Sequence, residues 1–493
     1  MTPFIMTSAL LCETVTGLTM AELVRARDEA THGDMVELRL DGVNDLDVAG
    51  ALQGRRVPAV VTCRPTWEGG RFDGSEEERA RILARALAAG GEYVDVEWRA
   101  TQSSGDFMSI VRHDPVRVVV SSHDFDRVPS DLDDRVRAMR GVGAGSIKMA
   151  VTVSRLTETV ALKEIGAVGD AVVIGMGEAG VPSRLLAAHY GSKWTYAGHG
   201  VAPGQIPAET MADDFHFFRV GPETRIFGVV STNAMHSLSP VMHNAAFEEA
   251  GIDAVYVPLR ACDFDDFLSY AASMGIEGAS ITIPFKLDAL RAATPVDRVT
   301  QAVGAANTLR RAGNGWQATN TDVEGFLAPL DAVFGTRLRN ARGAVLGAGG
   351  SARAVVAALR SRGVIVTVHA RRSEQARQLA QELDAVTGEW PAPAGSWDVL
   401  VNCTPLGGAG KRDESPLPCE LVAGPLVYDL TYGPGPSRLL RDAKAAGALT
   451  IDGLPMLIAQ AERQFEWWTG QKPGPGVMAN AVRRKLGAVE RTT

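Results

Sequence analysis

Cysteine is scarce in this chain. Five residues, Cys12, Cys63, Cys262, Cys403 and Cys419, are scattered along 493 positions, odd in number and with no CxxC pair. That spacing excludes a disulfide framework, argues against a zinc site or any other metal centre, and suits a reducing compartment. No run of about 18 apolar residues occurs, so no membrane span is expected. A basic stripe is missing too, and the formal net charge is −8, so nucleic acid is not expected as a partner. The N-terminus has no basic segment leading into a long apolar one, so no secretory signal is expected and a cytoplasmic location is. What is present is ample core: 45% of residues are hydrophobic. The length exceeds one ordinary core, which points to two or three soluble domains.

The first 215 or so residues alternate short β-rich runs with helical stretches such as Glu76–Ala89. The strand candidates are Phe4–Leu10, Asp34–Leu38, Ala59–Thr62, Tyr93–Glu97, Arg117–Ser121, Gly145–Met149, Ala171–Ile174 and Lys193–Ala197. Eight strands with intervening helices give the count of a (β/α)8 TIM barrel. Polar residues gather after the strands: Glu37 and Arg39, Arg64 and Glu68, His123, Lys148, Arg184. A lysine at the C-terminal end of a barrel strand is placed for Schiff-base chemistry, and His123 on the preceding strand is placed to move protons beside it.

Near residue 220 the pattern restarts. Val220–Thr224 reads as a linker and Arg225–Val230 as a new strand. Further on, Gly343–Leu346 runs into Gly347-Ala-Gly-Gly-Ser-Ala352, then the helical stretch Arg353–Arg360 and a second strand, Val364–His369. A GxGxxA turn between strand and helix is the phosphate turn of a Rossmann unit: its glycines let the backbone approach a pyrophosphate at the helix N-terminus. The second strand ends in His369-Ala-Arg-Arg-Ser373, with no acid for a ribose hydroxyl. Arg371 and Arg372 suit a 2′-phosphate instead, which favours NADP(H).

These residues carry two family resemblances. Val36-Glu-Leu-Arg-Leu-Asp41, Thr62-Cys-Arg-Pro-Thr-Trp-Glu-Gly-Gly70, Ser122-His-Asp-Phe125, Ile147-Lys-Met-Ala150, Gly180-Val-Pro-Ser-Arg184 and Ala202-Pro-Gly-Gln205 resemble type I 3-dehydroquinate dehydratase. His236-Ser-Leu-Ser-Pro240, Thr282-Ile-Pro-Phe-Lys286, Gly304-Ala-Ala-Asn-Thr308, Asn320-Thr-Asp322, Asn402-Cys-Thr404, Asp429-Leu-Thr-Tyr432 and Met456-Leu-Ile-Ala-Gln460 resemble shikimate dehydrogenase. The chain is thus similar to the fused dehydratase–dehydrogenases of the shikimate pathway. The resemblance implies an α/β architecture, with a barrel over 1–218 and a two-lobed dehydrogenase over 222–493. Its substrate lobe would take 222–328 with 455–493, and its Rossmann NADP lobe 329–454. It also implies the substrates 3-dehydroquinate, 3-dehydroshikimate and shikimate, and a monomer or small homo-oligomer.

Site roles follow from the same resemblance. Lys148 would form the imine, His123 would shuttle protons, and Glu68 would assist His123. Glu37, Arg39, Arg64, Arg184 and Gln205 would hold the substrate, with Met176 packed near the imine. In the second half Lys286 and Asp322 would be the catalytic pair, with Ser237, Ser239, Thr282, Asn307, Tyr432 and Gln460 binding shikimate. Gly347, Ala348, Gly349, Gly350, Ser351, Ala352, Arg371, Arg372, Asn402, Thr404 and Gly453 would bind the cofactor.

Two features depart from the families. Val201 replaces a serine in the last substrate loop of the barrel, where one hydrogen bond is worth about 1 kcal/mol, and the segment before it is about two residues shorter than usual. Ser280 stands where an asparagine is usual in the dehydrogenase. Two other functions fit less well. Quinate dehydrogenase activity in the second half is disfavoured by Ser239 and Thr282, which would crowd the extra hydroxyl of quinate. A metabolite-sensing regulator without chemistry would be expected to lack Lys148 or Lys286.

Overall fold

The computed structural model describes the backbone of residues 8–200, 202–408 and 410–492, and the side chains of all these save 336 and 488–492. Val201 therefore lies outside the described residues, as does part of the first strand candidate. The chain divides into two compact units, one reaching to residue 225 and taking in 253–275, the other made of 226–252 and 276–493.

The first unit is built on eight parallel strands: β1 (Leu10–Val15), β2 (Met35–Arg39), β3 (Ala59–Thr62), β4 (Tyr93–Glu97), β5 (Val118–Asp124), β6 (Ser146–Thr152), β7 (Ala171–Met176) and β8 (Trp194–Ala197). They stand in the order β7-β6-β5-β4-β3-β2-β1-β8. The ring is nearly closed between β7 and β8, where Lys193 N donates to Ala171 O at 2.9 Å. Helices alternate with these strands, as the sequence pattern predicts for a TIM barrel. Alternation along each strand turns every second residue inward. Part of the interior is apolar: Cys12, Met35, Val60, Val119, Val172 and Trp194 belong to a buried cluster that plugs the barrel. Polar inward residues occupy the remaining space.

Three expectations are corrected. Among the described residues the first strand is Leu10–Val15, which shares only Leu10 with the candidate Phe4–Leu10; it is set by pairing, with Cys12 opposite both Met35 and Tyr196. Glu37 and Arg39 lie within β2, not after it. Lys148 is the third residue of a seven-residue strand, because β6 keeps pairing with β7 through Thr152 opposite Met176. The side chain, not the strand end, carries its amine toward the barrel mouth.

Beyond the barrel come β9 (Arg225–Ser231) and β10 (Ala254–Arg260), the latter in the first unit. In the second unit, β9, β11 (Ile276–Ile281), β12 (Thr308–Ala312) and β13 (Gly315–Thr319) are neighbours in that order. β11 runs parallel to β9 and antiparallel to β12. The other sheet of this unit comprises β14 (Arg342–Leu346), β15 (Ile365–His369), β16 (Val386–Thr387), β17 (Val399–Asn402), β18 (Leu426–Asp429) and β19 (Leu449–Ile451). It is parallel throughout, in the order β16-β15-β14-β17-β18-β19. Counted from β14 this is the 3-2-1-4-5-6 order of a doubly wound dinucleotide-binding fold.

Candidate functional site

All the barrel residues singled out from the sequence line one cavity: Glu37, Arg39, Arg64, Glu68, His123, Lys148, Met176, Arg184 and Gln205. Alternation explains the convergence. Lys148 on β6 and Ser121 on β5 are register partners, as are Ser121 and Glu97 on β4, so the three face inward at one level. Glu68 arrives differently. The loop after β3 folds back on itself, with Thr66 N donating to Phe72 O and Phe72 N to Arg64 O. Gly70 makes that turn possible, because a Cβ there would lie 2.0 Å from Arg64 O.

Lys148 Nζ lies 3.2 Å from Asp95 Oδ2 and 3.8 Å from Glu37 Oε1, and 4.0 Å from the centre of the Tyr196 ring. Glu37 is steadied by the hydroxyls of Thr14 at 2.9 Å and Thr62 at 2.7 Å. Glu68 Oε1 accepts the backbone N–H of His123 at 3.0 Å and lies 2.9 Å from His123 Nδ1. Burial holds the imidazole well below its usual range, helped by the positive charges of Arg64 and Lys148. Burial also pushes the Glu68 carboxyl up to about 8, with Glu97 and Asp95 adding to the shift and Arg64 opposing it.

The arginines differ in what they have left to offer. Arg39 is clamped to Asp41 by two bonds of 2.9 Å. Arg64 donates to Glu97 and Asp95, both at 2.8 Å, and to Ser121 Oγ at 2.9 Å. Its guanidinium is thus engaged by protein acids while it lines the cavity. Arg184 is 1% exposed; among the described residues it has no carboxylate beside it and reaches only the carbonyls of Tyr196 and Pro203, each at 3.3 Å, while its Nε has no partner. Burial lowers its pKa to about 10. A buried guanidinium so placed calls for an anion. The Gln205 amide is used locally, accepting from Ala202 N at 3.0 Å and donating to Thr14 Oγ1 at 3.3 Å.

In the second unit Lys286 opens a helix after β11 and Asp322 opens the helix Asp322–Phe334. Their side chains meet at 2.5 Å, both buried. Asp322 Oδ1 also accepts from Asn307 Nδ2 at 2.8 Å, and Gln460 Oε1 lies 3.4 Å from that nitrogen. Asn320 Oδ1 takes the Asp322 N–H at 3.0 Å, so the Asn320-Thr-Asp322 run orients the carboxylate through its own backbone. Ser237 Oγ accepts from Ser239 N at 3.2 Å, a turn at the start of the following helix. Thr282 is half-buried just beyond β11, its N–H bonded to Val230 O. Tyr432 is enclosed enough for burial to push its phenol up.

The glycine turn brings the two parts of this unit together. Gly347 has φ +107°, and its N–H donates to His369 O at 2.8 Å. Gly349 precedes the helix Gly350–Ser361, whose first turn has no side-chain cap, so its amides are free for an anion. A Cβ on Gly350 would lie 3.0 Å from Lys286 Cδ. Ala352 is fully buried against the sheet. Arg371 and Arg372 follow β15, both exposed. Asn402 spends its amide on Leu406 O, Asp429 and Thr404, which orders the loop carrying Thr404. Gly453 allows a close approach, since a Cβ would meet Leu430 O at 2.2 Å.

A family model described as type I 3-dehydroquinase matches residues 11–221, one for the shikimate dehydrogenase substrate binding domain matches 229–309, and one for the shikimate 5′-dehydrogenase C-terminal domain matches 453–483. A bifunctional 3-dehydroquinate dehydratase/shikimate dehydrogenase of Arabidopsis thaliana, described as chloroplastic, is 31% identical over 94% of this chain and 82% of its own. The chain belongs to this bifunctional family. Both enzyme domains of the dehydratase–dehydrogenase are present, in the order of the shikimate pathway. The dehydrogenase half alone is 37% identical to a shikimate dehydrogenase (NADP(+)) of Trichormus variabilis, over 54% of this chain and 99% of that one. A solved shikimate dehydrogenase in complex with NADP+ superposes with a TM-score of 0.50 at 32% identity, over 54% of this chain and 96% of that one. Among the described residues, no helix is long and apolar enough to cross a membrane.

Several side chains of the bifunctional enzyme escaped the sequence reading. Asp95, Glu97, Ser121 and Tyr196 all sit in or under the barrel cavity. Their signal was alternation: Tyr93-Val-Asp-Val-Glu97 places both acids on one face of a strand. Ser280, the departure noted above, donates to Gln464 Oε1 at 2.7 Å, and Gln464 in turn donates to Thr308 Oγ1 at 2.9 Å.

Proposed function

We propose that the barrel dehydrates 3-dehydroquinate to 3-dehydroshikimate through a Schiff base on Lys148, and that the second half reduces 3-dehydroshikimate to shikimate with NADPH. One observation carries the reading: Lys148, the His123–Glu68 pair and an arginine that has no counter-ion among the described residues line a single cavity. An amine, a proton shuttle and a carboxylate grip are what a β-hydroxy ketone acid needs to lose water. The Lys148 nitrogen adds to the ketone carbon and the ketone oxygen leaves as water, giving an iminium. His123 takes a proton from the neighbouring carbon, and the electron pair of that C–H bond moves toward nitrogen. The pair then returns to expel the hydroxyl one carbon further on, which leaves with the proton from His123. Water releases the product and frees the lysine. Arg184 holds the carboxylate throughout.

In the second half, NADPH supplies the hydride when bound. The residues present suit it: a left-handed glycine, an uncapped helix start, and two exposed arginines after β15. Lys286 and Asp322 hold the proton that goes to the C3 oxygen, while Asn307 fixes the far side of the carboxylate. A cytoplasmic place belongs to the same proposal and is supported by five free cysteines. A coupled assay tests the whole. NADPH added to enzyme should be consumed only after 3-dehydroquinate is supplied, and no consumption on its addition would refute the reading.

Two further results are expected. Arg371→Ala should raise KM for NADP by about tenfold and leave KM for NAD nearly unchanged, because it removes one bidentate phosphate partner. Equal use of both cofactors by the unaltered enzyme would contradict this. The dehydratase should also lose activity on the acid side of about pH 8. His123 acts as base only with Nδ1–H donated to an ionised Glu68, which leaves Nε2 bare. Glu68 has a raised pKa, so it is protonated below about 8 and ionised above. kcat/KM for 3-dehydroquinate should therefore rise with pH through that value. In Glu68→Gln the amide oxygen still accepts the Nδ1–H but no longer titrates, so the acid limb should move to lower pH. Superimposable profiles would rule out this role.

A further inference from the structure

Asp95 is the carboxylate nearest the amine of the barrel. It is fully buried in β4, with Oδ2 3.2 Å from Lys148 Nζ and 2.8 Å from Arg64 Nη2, and Oδ1 accepting from Ser121 Oγ at 2.5 Å. Glu37 is farther from the amine, at 3.8 Å, and both of its oxygens already accept threonine hydroxyls. We propose that Asp95 is the resident counter-ion of the reacting nitrogen, held in place by Arg64 and Ser121. The inference rests on the Schiff-base reading of Lys148 and deepens it.

The charge balance gives the reason. An ammonium and a ketone become an iminium and a water, so one positive charge stays on the same nitrogen. It disappears only while the neutral enamine exists and returns when the hydroxyl is expelled. A buried carboxylate that cannot move away favours every species in which that nitrogen is charged. Asp95 cannot move away, since Arg64, just after β3, and Ser121, on β5, hold its two oxygens. Arg64 and Lys148 keep it ionised against the effect of burial. Arg64 in turn spends both terminal nitrogens on Asp95, Glu97 and Ser121.

Borohydride distinguishes the possibilities, because it delivers hydride to the iminium carbon and leaves a stable secondary amine on the lysine. With 3-dehydroshikimate at saturation, the unaltered enzyme should gain one adduct on the peptide carrying Lys148. Asp95→Asn, nearly isosteric but uncharged, should be trapped at least tenfold more slowly, while its shikimate oxidation stays unchanged and reports an intact chain. If Asp95 serves only to neutralise Arg64, removing both charges in Arg64→Met with Asp95→Asn should restore trapping; here it should remain slow. Should Asp95→Asn not fold, Ser121→Ala loosens the same carboxylate and should slow trapping severalfold. Equal trapping in Asp95→Asn, or recovery in the double variant, overturns the counter-ion. Failure of the unaltered enzyme to form any adduct on Lys148 overturns the Schiff-base reading instead, and the counter-ion with it.

Discussion

Lys148→Ala should lose dehydration of 3-dehydroquinate by on the order of 10⁴-fold or more, as removal of a covalent nucleophile generally does, and should keep shikimate oxidation close to the unaltered rate. The size follows from what an alanine cannot do. His123 could still take a proton, but the pair left on carbon would have no cationic nitrogen to flow into. The retained activity follows from the fold. Lys148 belongs to the first compact unit, and Lys286 with Asp322 to the second. Substitutions with no shared partners act independently. The same variant separates chemistry from binding. Arg184, Glu37 and Arg39 remain, so 3-dehydroquinate should still bind, with a dissociation constant within about tenfold of the original KM. Rapid-quench measurement of 3-dehydroshikimate gives the rate, and equilibrium dialysis gives the binding. Dehydration that persists within a hundredfold in Lys148→Ala would mean that another group activates the ketone. Loss of both activities would mean that the residue supports the fold rather than the chemistry.

The barrel was legible in the sequence because its strands are short, buried and evenly spaced. Ala59–Thr62 and Tyr93–Glu97 have the same bounds in pattern and structure. At β1 the local pattern does not give the bounds, and only long-range pairing fixes the register. The catalytic groups were visible as residue types, but not the ionic network beneath them. Arg64 looked like a free arginine because its partners Asp95 and Glu97 lie some thirty residues away and meet it only when β3 and β4 are side by side. The same holds for Ser280 and Gln464, which are brought together by the packing of a C-terminal helix on β11. The dinucleotide turn was the easier case. Its glycines, helix and second strand are contiguous, so every constraint that shapes it is local.

In the dehydrogenase, Lys286→Ala and Asp322→Ala should each slow hydride transfer by on the order of a hundredfold or more, a loss of proton transfer at the C3 oxygen, for shikimate and quinate alike. The geometry makes the pair one unit. A single 2.5 Å contact joins the ammonium to Oδ2, and the other carboxylate oxygen is held by Asn307. Removing either partner leaves the other buried without its counter-charge, at a stability cost of about 3–5 kcal/mol. That cost should lower the melting temperature of both single variants, and more than it lowers that of the double variant, where neither charge remains. The kinetic losses should be non-additive in the same sense. Once the proton path is broken at one residue, removing the second has little left to break, so the double variant should be about as slow as the slower single one. KM for shikimate should change less than kcat, because Ser237, Ser239, Thr282 and Tyr432 are untouched. Measuring kcat with shikimate and NADP+ for the four enzymes, with thermal melts alongside, checks each part. Losses that multiply in the double variant would show two independent roles, and an unchanged kcat in Asp322→Ala would place the proton donor elsewhere.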